Sequence, residues 1–377
     1  MKEKVLIGLS GGVDSAVASY LLKKQGYDVT GCYMRNWDSF ANNDFLGNPT
    51  VNNDVCPQEK DYHDAVIIAK TLGIPLMRID FIKEYWDDVF TYFLEEYKKG
   101  RTPNPDILCN RYIKFSAFQD FAKKNGFDKI AMGHYAKKVI KDGKAYLHKP
   151  KDLAKDQTYF LSLVKEDQIA VSLFPMEDIL KTEAREIVKE LGLEELSQKH
   201  GSTGICFIGE RHFKQFLTNY LPVTPGKIVD IKSKETLGTH SGVLFYTLGQ
   251  RHGLNIGGVK GFAPGKWIVC QKDVKNNILY VTSEHNESYL LSDETLLTHL
   301  NWIPDVPKEP LKVFVKFRYR APDVPCTLTY QNDEWRLKYN GEKAVTPGQF
   351  AAIYDEDGLL LGGGVIEKTY YQGQAKD

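Results

Sequence analysis

No apolar run in this 377-residue sequence reaches the ~18 residues a helix needs to cross a bilayer, so no membrane partner is expected. The opening Met-Lys-Glu-Lys leads into a short strand rather than the apolar stretch of a secretory leader. Cysteine is scarce: the six residues Cys32, Cys56, Cys109, Cys206, Cys270 and Cys326 are too few for a disulfide scaffold, and none are paired at metal-finger spacing. A reducing, cytoplasmic setting is the expectation. Net charge is also absent, which at first argues against a nucleic-acid partner. The balance hides an asymmetry, because residues 98–155 carry fifteen Lys/Arg against five Asp/Glu. Such a segment suits either a polyanion or a solvated lysine-rich face. Repeats and low-complexity stretches are missing. Length and the 42% hydrophobic content fit a globular chain of two or three domains.

The strongest local signal is the opening strand–turn–helix. Residues 5–9 read as an apolar strand, and Val13, Val17, Leu21 and Leu22 recur at helical spacing up to Gly26. Between them lies Ser10-Gly11-Gly12-Val13-Asp14-Ser15. A turn of small residues at a helix N-terminus presents backbone N–H groups to an anion, and its glycines let phosphate approach the main chain. The Walker pattern is excluded, since Asp14 stands where its Lys would be, and the three spaced glycines of a dinucleotide fingerprint are missing. The loop resembles that of the ATP pyrophosphatases, which split ATP between its α and β phosphates and place AMP on a carbonyl oxygen.

Strands are expected over 28–34, 76–81 and 129–132, and helices over 58–72 and 82–99, which implies a doubly wound parallel sheet. Ligands in such sheets sit beyond the carboxyl ends of strands, where Met34 and Gly133 lie. Pro103 and Pro105 break up the segment Asn104-Pro105-Asp106, and a helix is expected to begin near Cys109 or Asn110. Cys109 would then lie at a helix N-terminus near Arg111 and Lys114, surroundings that favour thiolate; burial as an inert cysteine is the alternative. His134 is either structural or a substrate contact. Lys155-Asp156-Gln157 follows a lysine-rich hairpin, with Asp156 suited to capping a helix. Cys206 sits on glycine-flanked backbone, 201–209, able to swing toward Cys109. Beyond Pro222, short alternating strands take over, 243–247 among them. From Trp302 a third unit begins, in which 311–320 alternates Lys312, Lys316, Arg318 and Arg320 with Phe314, Phe317 and Tyr319, as either a strand with apolar residues inward and a basic row outward toward RNA or an ordinary barrel strand.

Taken in order, the 10–15 loop, Asn104-Pro105-Asp106 with Cys109-Asn110, Gly133-His134-Tyr135-Ala136, Lys155-Asp156-Gln157, Gly204-Ile205-Cys206-Phe207, Tyr246-Thr-Leu-Gly-Gln-Arg and Arg318-Tyr319-Arg320 resemble the tRNA-specific 2-thiouridylases. The resemblance covers nearly the whole chain. It implies three domains: an α/β ATP pyrophosphatase (PP-loop) domain over 1–221, a small β-rich central domain over 222–297 and a C-terminal β-barrel over 298–377. It further implies that Gly8, Leu9, Ser10, Gly11, Gly12, Val13, Asp14, Ser15, Met34 and Gly133 hold ATP, with Mg2+ on its phosphates. Cys206 would carry a persulfide from a sulfur-relay or cysteine-desulfurase-derived donor, and Cys109 would be the nucleophile that frees the sulfur, the pair ending as a disulfide. Asn104, Pro105 and Asp106 would meet the wobble uridine, and His134, Lys155, Asp156, Gln157, Arg318, Tyr319 and Gln349 the rest of the tRNA. Three other readings stand beside it: a synthetase adenylating a small-molecule carbonyl, a non-catalytic nucleotide-regulated RNA-binding protein, and a metal site from Cys56, His63, Cys109 and Cys206.

Overall fold

The computed structural model describes residues 2–50, 57–199, 204–206, 208, 209, 211–256 and 265–376. Cys56, Gly201, Ser202, Thr203 and Phe207, all part of the sequence expectations, lie outside them. Strands β1 (Lys4–Gly8), β2 (Asp28–Arg35), β3 (Leu76–Asp80) and β4 (Lys129–Ala131) pair in parallel; the chain then makes a hairpin, β5 (Lys137–Lys141) and β6 (Lys144–His148), before a fifth parallel strand, β7 (Ser172–Leu173). The sheet order is β3-β2-β1-β4-β7. Val5, Leu6 and Ile7 are all fully buried, because helices cover both faces and a parallel strand then needs no polar side. Helix α1 (Val13–Lys24) buries Val13, Ala16, Val17 and Leu22 and is followed by Gly26 at φ +94°.

Two long helices carry π-helical segments. Residues 82–98 run as Ile82–Tyr85, a π segment Trp86–Phe90 and Thr91–Lys98; residues 105–124 run as Pro105–Leu108, a π segment Cys109–Ala117 and Phe118–Lys124. The second corrects the sequence reading, which starts this helix near Cys109. Asn104 is its N-cap, its side-chain oxygen accepting from the Asp106 N–H at 3.1 Å, and Pro105 takes the first helical position. Proline is tolerated there because that N–H has no intrahelical acceptor to lose.

Beyond Pro222 lie β8 (Gly226–Asp230), β9 (Thr236–His240), β10 (Trp267–Asp273) and β11 (Ile278–Ser283), in the order β10-β11-β8-β9. The run 243–247, expected as a strand, instead contains a 3-10 turn, Val243–Phe245, whose Val243, Phe245 and Tyr246 sink into the main core. A short apolar run looks alike in a strand and in a buried turn.

The C-terminal part is a closed barrel: β12 (Leu291–Trp302), β13 (Leu311–Lys316), β14 (Val324–Gln331), β15 (Glu334–Lys343), β16 (Phe350–Tyr354) and β17 (Leu359–Tyr371) run β12-β15-β14-β13-β16-β17, and β17 pairs back onto β12. The β5–β6 hairpin joins this sheet through Leu359–His148 and Leu360–Leu147, so a piece of the N-terminal sequence extends the barrel sheet. Strand β13 corrects the expected inward row: Val313, Val315 and Phe317 point into the barrel core, while Phe314 shares the outer side with Lys312. The β-branched residues occupy the interior register, and the strand ends at Lys316, before Arg318-Tyr319-Arg320. Among the described residues no helix is long and apolar enough to cross a membrane.

Candidate active site

The phosphate-type loop forms where β1 meets α1. Gly11 has φ +74°, and a Cβ there would lie 2.3 Å from the Asp61 carbonyl oxygen, so only glycine fits without backbone movement. Ser15 ties the loop together: its Oγ accepts from the Ser10 N–H at 3.2 Å and donates to the Gly12 carbonyl at 3.0 Å. Gly12 gives α1 no side-chain cap, which leaves the positive end of the helix free to face an anion. Leu9 and Val13 are buried in the sheet–helix core, whereas Ser10 is exposed and Gly12 and Asp14 half-buried. Asp14 accepts from Tyr135 Oη at 3.1 Å and from Lys181 Nζ at 2.6 Å. Lys199 Nζ donates to the Gly11 carbonyl at 3.3 Å and pairs with Asp61 and Asp64. Met34 and Met132 close the floor below Gly8, within about 3 Å of where its Cβ would stand.

Gly133 lies against this loop, its missing Cβ 2.9 Å from the Asp14 carbonyl carbon and 3.0 Å from the Ser15 nitrogen. Both are backbone atoms that cannot swing aside. Gly133→Ala is therefore expected to cost about 1–3 kcal/mol by overpacking and to weaken ATP binding at least ~10-fold, read by thermal unfolding and nucleotide titration.

The second half of the site is a pair of thiols. Cys109 is fully buried and Cys206 half-buried, with their Sγ atoms 3.7 Å apart. The Cys206 N–H donates to Asp106 Oδ1 at 3.0 Å, and Tyr85 Oη donates to the Cys206 carbonyl at 2.9 Å. These bonds anchor residues 204–206 over the helix start, and Gly204 and Gly209 both have positive φ. The expectation of a lowered Cys109 pKa is corrected here. With the helix beginning at Pro105, Cys109 lies past the first turn, and burial, then the neighbouring Cys206 sulfur, hold its pKa well above the usual thiol range. Cys206 is the thiol pushed down: the Cys109 hydrogen bond favours its anion, and Lys114 adds to this against the cost of burial. Burial also raises Asp106, in opposition to its bond from Cys206 N–H and to Lys114.

One dipeptide connects the two halves. His134, next to Gly133, lies tilted against Phe115 with ring centroids 5.8 Å apart and faces Lys114. Burial first, then the Lys114 charge, holds the imidazole pKa well below 6.5, and its Nδ1 has no hydrogen-bond partner. The folded protein thus keeps His134 neutral where the unfolded chain takes up a proton. Stability is unaffected by His134 above about pH 6.5 and falls below it, by up to ~1.4 kcal/mol per pH unit. Chemical unfolding between pH 7 and 5 should show a shallower loss for His134→Gln.

The other candidate contacts ring this centre. Gln157 is bound to the Tyr135 backbone in both directions, its Oε1 accepting at 2.9 Å and its N–H donating at 3.0 Å. Asp156, expected as a helix cap, is buried and accepts from the Thr158 N–H and hydroxyl, while Lys155 is exposed. Tyr319 packs on Phe160 (centroids 4.4 Å), near Tyr159, whose hydroxyl meets the Asn104 side chain. Arg318 is exposed and reaches Thr346 at 3.5 Å. Gln349 is 9% exposed and donates to the Thr102 carbonyl at 2.7 Å, so in this structure its amide grips the chain before Asn104. Pro105 is buried at the helix start. Sequence reasoning gives Lys114 only as a neighbour of Cys109 and Tyr135 only as part of a motif, and it does not reach Tyr85, Lys181 or Lys199. Tyr135 lies within the motif at 133–136 and Lys114 just past Cys109-Asn110, so position in sequence is a usable signal for both; Tyr85, Lys181 and Lys199 reach the site only through the fold. Among the described residues no group of three or more His, Cys, Asp or Glu side chains converges as a metal cage.

Three family models match the chain in succession. Residues 3–210 match the family model described as tRNA methyl transferase HUP domain, 214–283 its PRC-barrel domain and 292–366 an aminomethyltransferase beta-barrel domain. The tRNA-specific 2-thiouridylase MnmA of Mesoplasma florum is 52% identical over 97% of this chain and 99% of its own, and that of Metamycoplasma arthritidis 50% identical over 100% and 99%. Among solved structures, a 4-thiouridine synthetase–RNA complex with bound ATP overlaps 58% of this chain and 50% of that chain at 15% identity and TM-score 0.34, a likeness too slight to argue from. Half of all residues shared along the full length of both chains settles kinship: this chain belongs to the tRNA-specific 2-thiouridylase family.

Proposed function

We propose that this protein makes 2-thiouridine at the wobble position of tRNA, using ATP to activate the base and a cysteine persulfide as sulfur source. The observation that carries the reading is the thiol pair at 3.7 Å, joined to the phosphate-type loop through Gly133-His134. A uridine carbonyl oxygen is a poor leaving group, and as an AMP ester it becomes a good one. Gly8, Leu9, Ser10, Gly11, Gly12, Val13, Asp14 and Ser15, with Met34 and Gly133, hold ATP; the uncapped end of α1 faces its phosphates. Mg2+ neutralises phosphate charge when bound. The loop fits it, since this ion is held mostly by phosphates and water with one or two carboxylates, here Asp14.

The uridine O2 attacks the α phosphorus, pyrophosphate leaves, and Asn104, Pro105 and Asp106 orient the flipped-out base. Cys206 receives the outer sulfur of a persulfide from a sulfur-relay partner. Cys109 then attacks the Cys206 sulfur, forming the disulfide and releasing hydrosulfide, which displaces AMP from C2. An external dithiol resets the pair, as a reducing cytoplasm allows. His134, Lys155, Asp156, Gln157, Arg318, Tyr319 and Gln349 grip the surrounding tRNA, in a chain divided into units 1–221, 222–297 and 298–377. Methyl transfer, the wording of the family models, needs no pyrophosphate cleavage and leaves the loop without a task. With tRNA carrying 18O at the uridine 2-position, the label should pass into AMP; AMP free of label would refute activation at that oxygen.

A further inference from the structure

No step of the proposed reaction is assigned to Lys114 above, yet its ammonium lies within hydrogen-bonding reach of the Cys206 sulfur and close to Cys109 and Asp106. Its place in the helix explains how it gets there. In an α-helix, side chains five residues apart point ~140° away from each other. The segment Cys109–Ala117 is π-helical, and its end is marked by the Phe118 N–H donating to the Ile113 carbonyl, five residues back. The wider turn of that register swings residue i+5 back toward residue i, which brings Lys114 round to the side of Cys109. The Asn110 side-chain amide, donating to the Asp106 carbonyl at 3.0 Å, occupies an acceptor at the point where the α register gives way. Isolated π turns are costly and concentrate at functional sites.

We propose that Lys114 is a further catalytic residue, its ammonium carried by the π register onto the sulfurs, where it holds the Cys206 sulfur as an anion and stabilises the hydrosulfide that leaves. The step balances as Cys206–S–S⁻ plus Cys109–SH giving the Cys109–Cys206 disulfide plus HS⁻. The bond between the Cys206 sulfur and the outer sulfur breaks, the bond between the two cysteines forms, and the Cys109 proton goes to the departing sulfur. Two electrons from the cysteines reduce the outer sulfur, and an external dithiol later restores them. Charge accumulates on the outer sulfur as it leaves, beside a cation that does not have to move.

Among the described residues, the titratable groups facing Cys206 are Cys109, Lys114 and Asp106 from the 105–124 helix and Tyr85 from the 82–98 helix, while His134 faces Lys114 from the turn after β4. Burial opposes charge on Lys114, but the two sulfurs and Asp106 outweigh it and keep the ammonium protonated. Tyr85 stays neutral by burial, and His134 is neutral as well. Among the described residues, Lys114 is thus the cation that faces the pair.

The hydrosulfide part rests on the proposed sulfur transfer; the resting thiolate does not, so the test reads Cys206 without tRNA or ATP. Full-length native protein, Lys114→Met and Lys114→Arg are treated with iodoacetamide from pH 5.5 to 9.5, and Cys206 alkylation is followed by peptide mass analysis. The native midpoint should lie below the ~8.5 of an ordinary thiol. Lys114→Met should move it up by about one pH unit, with alkylation at pH 7 slowed ~3- to 10-fold, since lost thiolate is partly offset by higher nucleophilicity. Lys114→Arg should keep the native profile. Equal midpoints for native and Lys114→Met overturn the proposal; should Lys114→Met not fold, Lys114→Gln takes its place, and a native midpoint at or above ~8.5 overturns it alone. A shifted midpoint in a protein that makes no 2-thiouridine would sustain Lys114 as the cation holding the Cys206 thiolate and sink its hydrosulfide part together with the sulfur-transfer reading.

Discussion

Cys206→Ser should lose 2-thiouridine formation by more than ~10³-fold, equivalent to about 4 kcal/mol of transition-state free energy, while tRNA-dependent pyrophosphate release stays within a few-fold of native. The split follows from the geometry. The phosphate-type loop is built from β1, α1 and Gly133, none of which depends on Cys206 for packing, whereas among the described residues Cys206 is the thiol that meets Cys109. Cys109→Ser should lose turnover to a similar extent, yet still accept a persulfide on Cys206, because the hydroxyl cannot resolve it. Persulfide that persists on Cys206 in Cys109→Ser and never forms in Cys206→Ser would separate carrier from nucleophile. Comparable thiolation by both variants would contradict the assignment, and so would loss of pyrophosphate release in either one.

Arg211→Met carries the largest expected cost in stability. Asp44 is fully buried, and its Oδ2 accepts from Arg211 Nε at 2.9 Å, Arg211 Nη2 at 2.7 Å and Trp37 Nε1 at 2.9 Å. The pair ties the loop after β2 to the chain just past Cys206, where the His212 N–H also donates to the Gly47 carbonyl and Gly47 has no room for a Cβ. Removing the guanidinium leaves a buried carboxylate with only neutral donors, at about 3–5 kcal/mol. In a chain of several units the loss is best located by hydrogen exchange, which should accelerate first over 38–48 and 213–218. Adding Asp44→Leu to Arg211→Met should recover part of the loss, since a missing pair is cheaper than half of one. Unchanged exchange in the single variant would mean that the ion pair does not anchor this base of the Cys206 segment.

Much of this architecture was legible in the residues. The loop at 10–15 could be read because six small or polar residues sit between an apolar strand and an amphipathic helix, a purely local signal. The change of texture at Pro222 foretold the loss of helices for the same reason. Errors arose where a local rule had two outcomes. Pro105 reads as a breaker or as the first residue of a helix, and only the Asn104 cap decides between them. The 243–247 run reads as a strand until the core claims Val243 and Phe245 together. Phe314 reads as interior until the barrel register gives that side to Val313 and Val315. Other features had no local signal. Lys181 and Lys199 reach the loop from a distant helix and its successor, Tyr85 reaches Cys206 across the core, and the hairpin at 137–148 joins a barrel formed almost wholly after residue 290.

The central claim, that a nucleotide-activated base and two neighbouring thiols meet in one site, is tested most directly by a single turnover. Enzyme loaded with a 34S-labelled outer sulfur on Cys206 is mixed with ATP and a tRNA bearing a wobble uridine, and the anticodon nucleosides and the Cys109–Cys206 pair are both analysed by mass. The account predicts one labelled 2-thiouridine, one AMP and one Cys109–Cys206 disulfide per enzyme. Label retained on Cys206 while AMP and pyrophosphate form, or thiolation without ATP cleavage, would contradict it.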